Sequence, residues 1–335
     1  MRIAIVKLSA LGDIVHAMVV VQFIKQYLPN STIDWVVEED FRDIVMGNPD
    51  INQIHTVGIK RAKKDRSFRV LWQTLRQLKK LKKYDIVIDM QGLLKSAIVS
   101  SIIPSEKTFG FDKASLRERF AANFYSDTCH IDYSENVIKR NAFVIASALG
   151  LVISHTDILN KQPFWSFNNE PESCCLQNDK PNIAFVPGAS FASKIYPVEK
   201  FGQLAQMLDA NIIILWGNKE EKLMAESIQN IAPKVNIADK LSLSGLTAII
   251  GQMSLVVGGD TGPTHMAWAL NIPSITLFGS TPGRRNTYQT EINQIIESES
   301  SVNPEKINKN DMSIQTIEVE KIASKAKELL AQPDQ

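Results

Sequence analysis

The feature that most constrains this chain is a repeated alternation of short apolar runs with amphipathic stretches. In the first half, RIAIVK (2–7), IDWVV (33–37), QIHTV (53–57) and DIVID (85–89) read as strands. Helical periodicity falls between and after them, over 13–27, 66–83 and 134–149, the last closed by Gly150 as a C-cap. A second series repeats the pattern with NIAFVP (182–187), NIIILWG (211–217), SLVVGG (254–259) and PSITLFG (273–279), spaced by helical stretches at 197–209, 218–231 and 263–270. Strands that are apolar on both faces need cover on both faces, and strands that alternate with helices pair in parallel. The expected fold is therefore α/β, with two Rossmann-like doubly wound parallel-sheet domains facing a cleft. Between the two series, 154–181 is rich in Asn, Gln, Pro and Ser, with aromatic Phe164, Trp165 and Phe167. The expected boundaries are a first domain at 1–155, a connection at 156–181 and a second domain at 182–316. A C-terminal helical segment follows at 317–335 and is expected to pack back on the first domain.

Composition narrows the class. With 44% hydrophobic and 22% charged residues among 335, the chain is an ordinary globular sequence, not a coiled coil, a collagen or a disordered chain. Cys129, Cys174 and Cys175 make no disulfide framework or metal set, which fits a reducing compartment. The start MRIAIVKLSALGD is interrupted by Lys7 and Asp13 and does not read as a signal peptide. The longest uncharged stretch, 261–283, is broken by Gly262, Pro263, Pro273 and Pro282, so no transmembrane helix is expected. The expected location is the cytoplasm, with any membrane contact peripheral and on the cytoplasmic face. The net charge of +1 conceals an asymmetry: 60–83 holds eleven Lys/Arg and one acid, while the remainder holds 26 basic and 35 acidic residues. A local excess of that size meets negative charge somewhere.

In doubly wound sheets, ligands bind beyond the carboxyl ends of strands, near helix N-termini. The first strand runs into KLSALGDIVHA (7–17), which sets Ser9, Gly12 and Asp13 in that position. Asp13 has two compatible readings, an N-terminal helix cap and a carboxylate that accepts a proton. The richest stretch is VVGGDTGPTHMAWAL (256–270): Asp260 and Thr261 follow a buried strand, Gly262 and Pro263 open a helix, and His265 lies in its first turn. The free amides there favour a phosphate. FVPGAS (185–190), with Ala189 and Ser190 followed by Ser193 and Lys194, ILWGN (214–218) before Glu220 and Glu221, and LFGSTPGRRN (277–286) end three other strands of the second series. Strand ends bearing Gly, hydroxyl and charged residues suit a nucleotide. Lys194 is a candidate for stabilising a leaving diphosphate.

Absences matter too. The chain has no GxGxxG, no Walker sequence, no D-x-D pair and no His/Cys cluster, so neither a redox cofactor nor a metal is expected. The basic segment KRAKKDR (60–66) reads as a loop before a helix. Its candidate partners are an anionic glycolipid, an anionic membrane or nucleic acid, the last disfavoured by the scarcity of interleaved aromatics.

Four stretches, KLSALGDIVHA, IDWVVEE (33–39), DIVIDMQGLLKSA (85–97) and GGDTGPTHMAWAL (258–270), resemble the ADP-heptose:lipopolysaccharide heptosyltransferases, most closely the type I members. The resemblance spans nearly the whole chain in order. It implies a GT-B glycosyltransferase that transfers L-glycero-D-manno-heptose from ADP-heptose, with inversion, to a Kdo sugar of Kdo-lipid A. It implies Asp13 as base and Lys194 as the lysine after the phosphate loop, with Asp260, Thr261, Gly262 and His265 as the donor motif. Glu221 matches a donor-binding glutamate by spacing, with Glu220 adjacent. Leu241 replaces a methionine beside adenine, and Ala189 and Ser190 stand where the family has two threonines. The acceptor side would hold Ser9, Gly12, Lys60, Arg61, Lys63, Lys64 and Arg117. A transferase acting on a later core heptose or on protein, and a non-catalytic sugar-nucleotide or lipid-binding module, are the competing readings.

Overall fold

A computed structural model of the chain describes residues 1–165 and 175–331. The chain divides into two compact units, Met1–Ser166 and Phe167–Gln335. Strands β1 (Arg2–Val6), β2 (Thr32–Glu38), β3 (Gln53–Val57), β4 (Tyr84–Asp89), β5 (Ser105–Phe111) and β6 (Asp127–Cys129) form the first sheet in the order β3-β2-β1-β4-β5-β6. Strands β7 (Asn182–Val186), β8 (Asn211–Ile214), β9 (Asn236–Ile237), β10 (Leu255–Gly259), β11 (Ser274–Phe278) and β12 (Asn293–Glu297) form the second in the order β12-β11-β10-β7-β8-β9. Every pairing is parallel. Each sheet reverses its strand order beside its first strand, β1 or β7, which is where a doubly wound sheet opens a ligand site at its carboxyl edge.

The central strands are buried throughout, as their apolar faces require: Ile3, Ala4, Ile5 and Val6 in one sheet, Ile183, Ala184 and Phe185 in the other, all at 0% exposure. Strands β5, β6, β9 and β12 escape the sequence pattern because they are short or carry polar edge residues such as Glu106, Lys107 and Asn236. The predicted helix at 13–27 is divided into Leu11–Met18 and Val20–Tyr27. Gly150 caps Val137–Leu149 in the left-handed conformation, with φ 67°.

Three expectations need correction. The first unit runs past residue 155: a short helix, His155–Leu159, follows, and Phe164 and Trp165 are buried. The Trp165 indole donates to the Ile44 carbonyl at 3.0 Å, so these aromatics belong to the first core and not to a connection. Phe167 and Cys174 lie outside the described residues. The C-terminal helix, Val319–Leu330, packs within the second unit, where Val319, Ile322, Ala323, Ala326 and Leu329 join the core around Ile183, Phe201 and Val257. Tyr196 and Lys200 fix its approach by donating to the Ile317 carbonyl at 2.9 and 2.8 Å. Finally, KRAKKDR is not a loop. Residues Ile59–Lys64 form one helix, and after a turn at Arg66 a second, Phe68–Lys79, begins with Ser67 as its cap.

Candidate active site

At the carboxyl edge of the second sheet, β10 delivers Asp260 into a buried position, its side chain only 7% exposed. Its carboxylate is the hub of the site. Oδ1 accepts from His265 Nε2 at 3.0 Å, and Oδ2 accepts from Lys194 Nζ at 2.6 Å, Thr281 Oγ1 at 2.9 Å and Asn286 Nδ2 at 3.1 Å. Burial alone would push the carboxyl up. The hydrogen bond from His265 and the charge of Lys194 overcome it and hold Asp260 far below the usual carboxylate range. An ionised carboxylate only accepts, so His265 carries its proton on Nε2.

The local sequence explains this convergence. Gly259 is required because a Cβ there would lie 2.6 Å from the Lys194 carbonyl, so the 188–194 loop can lie directly against the end of β10. Ser193 and Ser280, 2.7 Å apart through their hydroxyls, fasten that loop to the one after β11. Thr261 then holds the N-cap position of the helix Gly262–Ala269 in extended conformation, without a side-chain cap hydrogen bond, with Pro263 in the first turn and the buried Gly262 and His265 beginning the helix. An eight-residue helix whose first turn has amides without intrahelical partners, beside a lysine, has the chemistry that suits a phosphate.

The other donor-side candidates stand after β7, β8 and β9 of the same sheet. Ala189 is half-buried and Ser190 exposed. Asn218 caps the helix Lys219–Ile231 by accepting the Glu221 amide on Oδ1, and the Glu221 carboxylate accepts in turn from the Gly217 amide at 2.6 Å and Asn218 Nδ2 at 2.8 Å. A Cβ on Gly188 would meet that carboxylate at 2.4 Å, so Glu221 lies against the end of β7, whereas the neighbouring Glu220 is exposed. Leu241 is half-buried just before the Ser242 cap of Leu243–Ile250.

In the first unit, Asp13 is exposed in the first turn of Leu11–Met18, next to half-buried Gly12. Ala10, not Asp13, occupies the N-cap; from the third helical position Asp13 Oδ2 accepts the Ala10 amide at 3.2 Å, so it supports the helix start without being the cap residue expected of it. Ser9 is held by residues the sequence did not single out. Gln91 Oε1 accepts the Leu8 and Ser9 amides at 2.7 and 3.2 Å, Gln91 Nε2 donates to the Ser9 carbonyl at 2.8 Å, and Lys95 Nζ donates to Ser9 Oγ at 2.9 Å. Asp89 orients Gln91 in turn by accepting its amide at 2.8 Å. Glu38, buried at the end of β2, accepts the Lys60 amide at 3.2 Å, and burial raises its carboxyl against the pull of that amide and of Lys95. Lys60 and Arg61 pair with Asp40 and Glu39 at 2.6 and 3.1 Å, while Lys63, Lys64 and Arg117 are exposed. Gln91, Lys95, Glu38, Thr281 and Asn286 all lie in stretches the sequence marks. Periodicity gives no register at a strand end, so it could not say which side chains turn inward.

The profile of Glycosyltransferase family 9 (heptosyltransferase) matches residues 69–313. The chain belongs to this family. Among relatives of the heptosyltransferase, "Lipopolysaccharide heptosyltransferase 1" of Campylobacter coli is 38% identical over 98% of this chain and 99% of its own length. The protein of that name from Escherichia coli K12 is 30% identical over 84% and 89%. Among solved structures, E. coli heptosyltransferase WaaC with ADP superposes with a TM-score of 0.81 at 24% identity, covering 98% of this chain and all of that one. A family 9 glycosyl transferase from Veillonella parvula gives 0.82 at 19%, covering 98% and 97%. The heptosyltransferase thus has two Rossmann-like domains of the GT-B class. Among the described residues, no helix is long and apolar enough to cross a membrane, and no group of three His, Cys, Asp or Glu side chains could hold a metal ion.

Proposed function

We propose that this heptosyltransferase moves L-glycero-D-manno-heptose from ADP-heptose to a Kdo sugar of Kdo-lipid A, with inversion at the anomeric carbon, in assembly of the lipopolysaccharide inner core. The observation that carries this reading is the Lys194–Asp260–His265 cluster at the start of Gly262–Ala269, in a chain 38% identical to a protein named Lipopolysaccharide heptosyltransferase 1. The cluster and the helix amides suit the diphosphate of ADP-heptose. Glu221 and Leu241, at the ends of β7 and before Leu243–Ile250, suit its adenosine end, with Ala189 and Ser190 in the phosphate loop.

The chemistry follows from charge. Asp13, through the oxygen not engaged by Ala10, takes the proton of an acceptor hydroxyl. The deprotonated acceptor oxygen attacks the anomeric carbon from the face opposite ADP as the bond to the diphosphate breaks, and negative charge grows on the departing ADP. Lys194 and the helix start stabilise the charge. As Lys194 turns toward the diphosphate, Asp260 Oδ2 keeps Thr281 and Asn286 as donors, so the buried carboxylate is not left uncompensated. Such contacts are each worth about 2–4 kcal/mol at a transition state. Ser9 and Gly12 beside Asp13, with Lys60, Arg61, Lys63, Lys64 and Arg117, would meet the Kdo carboxylate and lipid A phosphates. With a lipid-borne acceptor, the enzyme works peripherally on the cytoplasmic face of the inner membrane, without nucleic acid. Neutralisation by Lys194 and amides requires no metal ion or other cofactor.

Incubation with ADP-heptose and Kdo-lipid A, reading ADP release with and without chelator, tests the reading. ADP release that requires Kdo-lipid A and survives chelation is expected. Release driven only by a later core acceptor or a protein would replace the acceptor, and activity restored to chelated enzyme only by a divalent ion would remove the metal-free route.

A further inference from the structure

The helix Phe68–Lys79 has a surface that neither the donor nor the base chemistry uses. Its inner face buries Thr74 and Leu78 and half-buries Val70, Leu71 and Leu75. Its outer face does not carry the usual polar residues alone. Phe68 is 86% exposed and Trp72 59% exposed, and they stand one turn apart. At about 100° per residue, Arg69, Arg76, Lys79 and Lys80 fall within roughly 120° of the same direction. All four are exposed, and no Asp or Glu occurs between Arg66 and Tyr84. None of the four has an ion-pair partner among the described residues, in contrast to Lys60 and Arg61 on the preceding helix. The Arg76 guanidinium lies over the Trp72 ring, 5.0 Å from its centroid, which joins a cation to an exposed apolar plate.

We propose that this face lies on an anionic lipid bilayer, with Phe68 and Trp72 entering the headgroup layer and Arg69, Arg76, Lys79 and Lys80 meeting lipid phosphates. Charge complementarity selects the occupant: a helix with aromatics and only cations on one face suits an anionic interface, where indole rings settle at headgroup depth. The four cations add attraction that neutral lipid does not offer. A single-stranded nucleic acid needs stacking platforms spaced along a groove, whereas the two aromatics here lie within one turn of one helix. The proposal rests on the reading of a lipid-borne acceptor and adds the surface that brings the enzyme to it.

Sedimentation of the full-length protein with vesicles tests it. Binding to phosphatidylethanolamine vesicles containing phosphatidylglycerol, and not to phosphatidylcholine alone, is expected, with release at high salt. Phe68→Ser with Trp72→Ser, and separately Arg69→Gln, Arg76→Gln, Lys79→Gln and Lys80→Gln together, should each weaken binding about tenfold or more. Both variants should keep turnover within about twofold on a Kdo acceptor without acyl chains, which shows them folded and active. Wild type that ignores anionic vesicles, variants that bind them as wild type does, or a single-stranded oligonucleotide that binds this helix while vesicles do not would each overturn the proposal. The sedimentation contains neither donor nor Kdo. Vesicle binding that persists while Kdo-lipid A fails as acceptor therefore supports the docking face and removes only the acceptor reading.

Discussion

At the carboxyl edge of the second sheet, Lys194, His265, Thr281 and Asn286 all direct donors at one buried carboxylate. At the corresponding edge of the first sheet, the residues expected to do chemistry face water: Asp13 is exposed and holds one amide, and Lys63, Lys64 and Arg117 are exposed as well. The difference matches the two substrates under the proposed function. A diphosphate is small and polyanionic, and stabilising charge that grows on it calls for donors fixed before the reaction. A lipid-linked sugar is large and differs in mobility from the nucleotide, so it suits side chains that stay solvated until it arrives. Under that function, folding organises the second site and the acceptor would organise the first.

The largest expected effect breaks the open side. Asp13→Asn should lower turnover by a factor of about 100 to 10,000, the range for losing a general base, while the donor KM stays within about threefold. The Asn oxygen can still accept the Ala10 amide, so the helix start survives the substitution. Steady-state kinetics decide the matter: near-normal turnover in a folded variant would reduce Asp13 to a support of the helix start.

On the closed side, Lys194→Ala should lower turnover roughly 100-fold and weaken ADP binding with it, because one cation serves ground and transition states together. The substitution also leaves Asp260 with His265, Thr281 and Asn286, so the unit should remain folded. ADP titration by calorimetry beside the kinetics separates the two effects. Unchanged ADP affinity would take Lys194 away from the diphosphate.

The same cluster makes a prediction about acid. Asp260 has a folded pKa held below its unfolded one, since His265 and Lys194 outweigh the burial that opposes ionisation. Its stabilisation is complete above about pH 4, and is lost as the pH falls below it, because the unfolded chain takes up a proton the folded one refuses. Denaturant titrations from pH about 4 down to about 2 should show wild type losing up to ~1.4 kcal/mol per pH unit more than Asp260→Asn. The variant should start less stable and fall less steeply. Equal slopes would mean that Asp260 is not held ionised by its partners.

The two sites were not equally legible in the sequence. The stretch GGDTGPTH names its own geometry, because a strand end, two glycines and a proline-opened helix leave Asp260 and His265 few places to go. Lys194 could be read for the same reason, as the lone cation of its loop. Thr281 and Asn286 reach Asp260 from 21 and 26 residues away, a closure that no local pattern encodes. Gln91 and Lys95 reach Ser9 across more than 80 positions. The C-terminal helix was legible as an amphipathic element, yet its partner was not, since an apolar stripe fits any apolar surface. The basic stretch was legible as charge alone. Which of its cations have acids beside them depends on Glu39 and Asp40, which packing brings to Arg61 and Lys60.

That pairing sets up the smallest effect and the sharpest division within the open side. Lys60 and Arg61 each have a carboxylate within 3.1 Å, so part of their field is already cancelled before any acceptor arrives. Lys63 and Lys64, one turn further along Ile59–Lys64, are exposed and have no ion-pair partner among the described residues. Exposed charge contacts are worth about 0–1 kcal/mol each, and only an unpaired cation offers its full share to an anionic acceptor. Lys63→Ala with Lys64→Ala should therefore raise the KM for Kdo-lipid A about fivefold, and Lys60→Ala with Arg61→Ala about twofold or less. The donor KM should move in neither. Rising salt screens exposed charges over about a Debye length, so the KM of wild type should climb with ionic strength more steeply than that of the Lys63/Lys64 variant. The Lys60/Arg61 variant should keep a slope close to wild type. If the two pairs prove equal in KM and in salt slope, the carboxylates of Glu39 and Asp40 do not shape the acceptor's electrostatics, and the open side reads total charge without regard to its arrangement.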